Sequence, residues 1–472
     1  MAAAILPIAN GFYLSDSLPI SAQECTNWYP NIVQAPALSP ETLFGTPGTT
    51  QLATSGTVLE QNRGSHTMAG VPYFINGDAI YRLNSDNTLS NLGEITGSGR
   101  VSLADNGTQL MILIPGGDGY ILTDAPAVLT KITDTDFTAN GAPQHVVFID
   151  GYFAITTDTK KFIVSALNNG LAYNALDFGT AEADPDDIVA PIVFNNQLFI
   201  GGSETTEAFQ NIGGADFPFQ RSGLFLSKGI KAPFSVVNAN DTFMFIGGGE
   251  NEAPAIWSLE GNNYKKVSTT AIDSILATAT NEEITGAFAW SYAKKGAYFV
   301  GFSIPSTTLV FDVISARWHE RKSNVNGDTI RSRINSVTSA YGLTLVGDSQ
   351  DGRIGSLDNN VYTEYDNAII RRVASQPFQN NMQSFTVPSI ELTMEAGVGN
   401  AATVDPQVIM DISSDGGKTF RDERSRSIGK IGEYNKRSIW RRNGRVARFD
   451  VFRFTFSEPA KPVIIQLTAD IL

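Results

Sequence analysis

The residue types that do chemistry are sparse in this chain, and their spacing argues against most reactions. Its only histidines are His66, His145 and His319. None is paired locally with another in a metal-binding spacing. Each is expected to be an ordinary core or surface residue, and no metal site or cofactor is expected. The loop "EADPDD" at 182–187 gathers carboxylates, among them Asp184, Asp186 and Asp187, but lacks the alternating ligand register of a calcium loop. It is read as a solvated acidic loop. "GSGR" at 97–100 and "GGGE" at 247–250 do not run into a GK[ST] and read as tight turns. One cysteine, Cys25, excludes an internal disulfide framework. The strongest local signal is electrostatic: "YNKRSIWRRNGRVARFDVFRFTF" at 434–456, with Arg437, Arg441, Arg442, Arg445 and Arg448 close together.

That ribbon stands out because the chain is acidic, with a formal net charge of −14. Between Lys418 and Arg453 there are 12 basic and 4 acidic residues; taken from totals of 34 and 48, this leaves 22 basic against 44 acidic elsewhere. A segment of net +8 beside a remainder of −22 suggests a region built to meet something negative. Three readings compete: a solvated charged tip, a phosphate contact, and a protein contact with acidic surface on a neighbouring copy or partner. Broad nucleic-acid binding fits poorly with the overall acidity. Oriented Arg–carboxylate pairs would set register between subunits, so the five arginines are taken as candidate protein-interface residues, with no catalytic residue assigned. Asn443–Gly444 between two strand-like runs predicts a two-residue hairpin, with strands at 436–442 and 445–456. Phe452, Phe454 and Phe456 would share one face, and Phe449 and Val451 the other.

"SSDGGKTF" at 413–420 resembles the Asp-box of sialidases and other propellers, through Ser413, Asp415, Gly417, Thr419 and Phe420. The box forms a turn and performs no catalysis, so a structural role is expected. A propeller glycosidase is the weaker alternative, and a glycan- or receptor-binding propeller another. The second would use Trp257, Trp290 or Trp318 as exposed platforms.

The elements that must carry these residues are strands. Gly, Thr, Ser and Asn are frequent, and long helix-forming runs are almost absent. An apolar run, a turn and a second apolar run recur, with turns at Gly70, Gly107, Gly151, Asn196, Asp241, Gly296 and Gly342. The spacings are 37, 44, 45, 45, 55 and 46 residues. A period in the mid-forties fits four-stranded propeller blades. The fold expected is all-β: a β-propeller of about seven blades, six being the alternative count, with a β-sandwich platform formed by the chain ends. The divisions expected are an irregular N-terminal segment at 1–55 packing on the platform, a propeller at 56–370, and a sandwich at 371–472. The longest spacing is explained by one short inserted helix near 268–280, where Ile272, Ile275 and Leu276 share a face. The start "MAAAILPIANGFYLSDS" reads as a poor signal peptide, and no run is apolar enough to span a membrane.

Six pieces in order along the chain resemble the tail nozzle proteins of short-tailed bacteriophages, also called packaged DNA stabilisation proteins or tail accessory factors. They are "NWYPN", "GTPGTT", "GSGRVSLADNGTQLMIL", "LSKGI", "VSTTAIDSIL" and "YNKRSIWRRNGRVARF". The resemblance implies a structural virion protein, assembled in the host cytoplasm and carried in the tail. It implies a homo-oligomeric, hexameric ring below the portal-adaptor ring, continuing the channel through which DNA passes without specific binding. It further implies contacts with a tail needle or plug or with fibres, and a part in retaining the packaged DNA and gating its ejection.

Overall fold

The computed structural model describes residues 2–56, 60–181, 186–214 and 217–472. Its centre is a ring of seven antiparallel blades: four are separate four-stranded sheets, the fifth has its first strand split in two, and the sixth and seventh continue into further strands. Blade 1 is Asn62–Met68, Val71–Asn76, Ala79–Leu83 and Leu89–Glu94. The next five blades occupy 102–131, 143–180, 188–226, 229–266 and 288–325. Blade 7 takes Ile334–Ala340, Leu343–Asp348 and Arg353–Asp358 from its own region and Gly48–Thr54 from the start of the chain. The count is therefore seven.

The seven predicted turns are the seven hairpins between the first and second strands of the blades. Gly70, Gly107, Gly151, Asn196, Gly296 and Gly342 have positive φ, as does Asn240 beside Asp241. This is the left-handed conformation that selects Gly and Asn there. The second strand of each blade is buried on both faces, as in Leu110–Leu113 and Gln197–Gly202. Apolar clusters fill every seam between adjacent blades, closing with Phe74, Leu83, Leu345 and Ile354 between blades 7 and 1. The first strands are less uniformly buried, as in Ser102–Asp105 and Ile334–Ala340.

Residues 1–55, expected to be irregular, differ from that reading. Ala2–Leu6, Trp28–Ile32 and Glu41–Gly45 are strands in the same sheet as Val463–Ile471, while Gly48–Thr54 closes the propeller. Prolines and short polar runs interrupt these strands in sequence, but long-range pairing satisfies their backbone groups. The predicted helix forms as α1, Thr270–Thr278, with Ile272 and Leu276 buried. A second helix not anticipated, α2, Asn281–Thr285, follows it. Its start is fixed by a capping box in which the Glu283 carboxylate accepts from Thr280 N–H at 2.8 Å.

The C-terminal region packs two sheets face to face. One runs Ser438–Arg441, Ser389–Met394, Val463–Ile471, Glu41–Gly45, Trp28–Ile32. The other runs Cys25–Thr26, Arg371–Ala374, Phe449–Phe456, Gln407–Ser413, Arg421–Ser427 and joins blade 6 through the parallel pair Thr26 and Glu320. Ile390, Leu392 and Leu467 meet Met410, Phe452 and Phe454 in its core. Among the described residues no helix is long and apolar enough to cross a membrane.

The hairpin expected at Asn443–Gly444 does not form. Ser438–Arg441 pairs with Ser389–Met394 in one sheet, and Phe449–Phe456 pairs in the other. The segment is a corner that crosses between sheets. The reason lies in Trp440, which is fully buried and meets Phe454 across the sandwich at 5.6 Å between ring centroids. A direct hairpin would place the two rings in one sheet and leave the core open between them. Arg442 and Gly444 take the positive φ values of the corner. Phe452, Phe454 and Phe456 are buried together as expected.

Candidate protein interface at the sandwich corner

Arg441, Arg442, Arg445 and Arg448 are exposed on this corner, and no carboxylate bonds to any of them among the described residues. The corner is held by its backbone and by Asn443. Arg442 N–H donates to Pro388 O at 2.8 Å, and Asn443 Nδ2 donates to Trp440 O at 3.0 Å. Arg445 Nη2 reaches Ser384 Oγ at 2.5 Å, and the Arg448 guanidinium lies 5.6 Å from the Phe449 ring centroid. Arg437 is different. Its Nε donates to Glu391 Oε1 at 2.7 Å, so its charge is compensated within the chain, and this pairing raises its pKa.

Two further arginines join the cluster from the neighbouring strand Arg421–Ser427. Arg424 donates to Arg441 O at 3.0 Å and to Asn443 Oδ1 at 2.7 Å; Arg426 Nε donates to Ile439 O at 2.8 Å. Both spend their donors on backbone or amide oxygen, so neither charge is neutralised. Burial pushes the pKa of Arg424 down, Asp422 opposes this, and the like charge of Arg426 adds to it. Sequence spacing separates 424 from 441; only the fold of the sandwich edge joins them. Among the described residues, six guanidinium groups that hydrogen-bond no carboxylate thus lie at one corner of an acidic protein.

A second surface is exposed on the propeller. The hairpins between first and second strands, and those between third and fourth, lie on one face because the strands of each blade alternate in direction. Contacts confirm it: Tyr341 OH of blade 7 donates to Leu83 O of blade 1 at 3.0 Å. That face exposes Val128, Leu167, Ile212, Ile314, Tyr341 and Leu343. On the opposite face Phe225, beside the turn that leaves blade 4, is exposed as well.

The other sequence candidates resolve as structure. His66 Nε2 is 2.6 Å from Asp105 Oδ2, His145 packs edge-on to Phe234 at 4.8 Å, and His319 is buried beside Arg321. Burial pushes His145 down to about 4, so it is neutral at pH 7. No cluster of three His, Cys, Asp or Glu suited to a metal exists among the described residues. Asp184 lies outside the described residues. Asp186 accepts from the N–H groups of Glu204 and Thr205, at 2.7 and 2.9 Å, and so organises a turn. Asp415 of the "SSDGGKTF" box accepts from Lys418 N–H at 2.9 Å, Thr419 N–H at 3.0 Å, Thr419 OH at 2.6 Å and Ser413 OH at 2.7 Å. Phe420 lies under the Arg453 guanidinium at 3.6 Å. Trp290 and Trp318 are buried between strands and offer no exposed platform; Trp257 is half-buried, with its Nε1 on Gly247 O at 3.0 Å.

Comparison with known proteins places this arrangement. The family described as "Bacteriophage P22 Gp10, beta-propeller" matches residues 4–362, and "Bacteriophage P22 Gp10, beta-sandwich" matches residues 371–471. The tail hub protein gp10 of Salmonella phage P22 is 24% identical over 408 residues, spanning 81% of this chain and 83% of that protein. Solved structures with a similar outline include the N-terminal domain of Nup159 (10% identity, TM-score 0.41, 71% of this chain and 99% of that one). Another is the WD40 β-propeller domain of Doa1 (11% identity, TM-score 0.40, 66% and 97%). Likeness at that level says nothing about function. The propeller and sandwich matches together cover nearly the whole sequence, and the chain belongs to the bacteriophage P22 Gp10 family.

Proposed function

We propose that this protein is a structural subunit of a phage tail, located in the virion, and that copies of it form a ring continuing the DNA channel below the portal and its adaptor. The ring retains the packaged genome and opens for its ejection. It works as an assembled part rather than an enzyme. Its partners are further copies of itself, the portal-adaptor ring, and the needle or fibres at the tail tip.

Family membership supports the tail assignment. The observation that carries the finer reading is the corner of six uncompensated arginines on a chain of net charge −14. Arg441, Arg442, Arg445 and Arg448, with Arg424 and Arg426 behind them, suit a contact with carboxylates of a neighbouring subunit or partner. A head-to-tail contact repeated by rotation closes a ring. Arg437 contributes less, because Glu391 already pairs it. The axial cavity of the propeller, about 370 Å³, cannot admit a duplex, so a DNA channel must lie between copies. Six copies would carry six times −14, a formal −84, and an acidic wall passes DNA without gripping phosphates.

Replacing Arg441 and Arg442 together by Glu tests the reading. Sedimentation of the purified chain, alone and with an adaptor ring, is expected to show loss of the ring and of adaptor binding. Unchanged assembly would refute the assignment. Salt-sensitive DNA binding lost in the same variant would favour a phosphate contact instead.

A further inference from the structure

A short arch, residues 378–386, lies against the arginine corner. Both of its legs pair with the corner segment: Gln379 sits opposite Phe449, and Phe385 sits opposite Val446. The tip of the arch therefore stands beside Ala447 and Arg448, and Arg445 Nη2 fastens its second leg at Ser384 Oγ. That tip is a two-residue turn. Gln383 N–H donates to Asn380 O at 2.8 Å, and Asn381 and Met382 take φ values of 47° and 59°. A turn of this kind needs positive φ at both central positions, and the second is the usual place of glycine.

Methionine is a poor choice for that place, because a bulky L side chain is strained in the left-handed region. Two tyrosines of this chain also occupy the region, and each has a use within the fold. Tyr341 OH donates to Leu83 O across a blade seam, and the Tyr365 ring lies against the guanidinium groups of Arg333 and Arg353. Met382 has no such use. Its side chain is 56% exposed and belongs to none of the apolar clusters of the core. Its backbone N–H donates to Gln379 Oε1 at 3.2 Å, a bond that glycine would make equally well. Strain kept at a surface turn without an internal contact to justify it points to a contact outside the chain.

The neighbours of Met382 share this character. Phe449 is half-buried, with the Arg448 guanidinium near its ring, and Arg445 and Arg448 are exposed on either side. Methionine, aromatic residues and arginine are the side chains enriched in protein contact surfaces. We propose that Met382 is the apolar anchor of the contact made by the arginine corner, and that its seat is on a second copy of this chain. The proposal rests on the reading of that corner as a protein interface. Charge selects the occupant. Outside 418–453 the chain carries 44 acidic residues against 22 basic, so its own surface supplies carboxylates for Arg445 and Arg448. The arginines orient the approach, and burial of the flexible thioether adds attraction that salt does not screen.

Sedimentation of the purified full chain over a range of concentrations tests it, together with thermal melting of each variant. Glycine suits the turn, so Met382→Gly should melt at the parent's temperature or above it. Its association should nonetheless weaken by about tenfold or more, as for loss of a central contact side chain. Met382→Leu keeps the apolar bulk and should associate like the parent. Unchanged association in Met382→Gly would overturn the proposal. So would weaker association accompanied by a lower melting temperature, because the side chain would then serve the fold. Failure of the underlying reading looks different. A parent chain that stays single, or association indifferent to Arg441→Glu with Arg442→Glu, removes the interface and the anchor with it. Association broken by those two substitutions but not by Met382→Gly removes the anchor alone.

Discussion

Single residues in this protein do their work mostly as donors and acceptors that fix turns. Asp415 is the clearest case: four donors converge on a half-buried carboxylate, and they hold its pKa far below the usual range. The sign of the resulting pH dependence follows. With a folded pKa below the unfolded value of about 4, the carboxylate's contribution is present above that pH and is lost as pH falls toward the folded pKa. Acid melting curves of Asp415→Asn should therefore be flatter than those of the parent between about pH 4 and pH 2. Parallel curves would show that the box contributes nothing through its charge. This role was legible in the sequence, because the box packs its donors and its acceptor into eight consecutive residues. The interface candidates were legible only in part. Arg441, Arg442, Arg445 and Arg448 announce themselves as a run, but Arg437 is neutralised by Glu391 from another strand. Arg424 and Arg426 enter the cluster only because the sandwich edge brings them there.

At the scale of elements, local chemistry predicted well and distant pairing did not. The seven hairpin turns were readable because each needs a positive φ that Gly or Asn supplies. The corner at 442–444 misled for the same reason: Asn–Gly promises a hairpin, and only the burial of Trp440 against Phe454 decides otherwise. The closing strand Gly48–Thr54 lies some three hundred residues from its partner Arg353–Asp358, and nothing local marks it. Its seam is fastened by a buried polar latch. Asn62 Nδ2 bonds Gly64 O and Asn76 Oδ1 at 3.1 and 2.8 Å, Asn76 Nδ2 donates to Ser55 Oγ at 2.6 Å, and Ser336 OH donates to Asn62 Oδ1 at 2.6 Å. Removing one member leaves the others buried and unpaired, which costs about 1–3 kcal/mol. Asn62→Ala is expected to lower stability to urea by that amount, without changing the slope of the unfolding transition. A loss below about 0.5 kcal/mol, the range of ordinary surface changes, would show that the latch is not what holds the ring of blades shut.

For the whole molecule, the decisive features are charge and shape. Blades wind about an axis too narrow for DNA, the chain ends build a sandwich beside blade 6, and the positive charge gathers on one corner of that sandwich while the rest is acidic. Complementary charge on one chain suits repeated contacts between copies. The measurement that tests this account most directly is electron microscopy of the purified chain, alone and mixed with an adaptor ring. The account predicts annular particles with sixfold symmetry and an open centre. Particles that stay single under both conditions would contradict it.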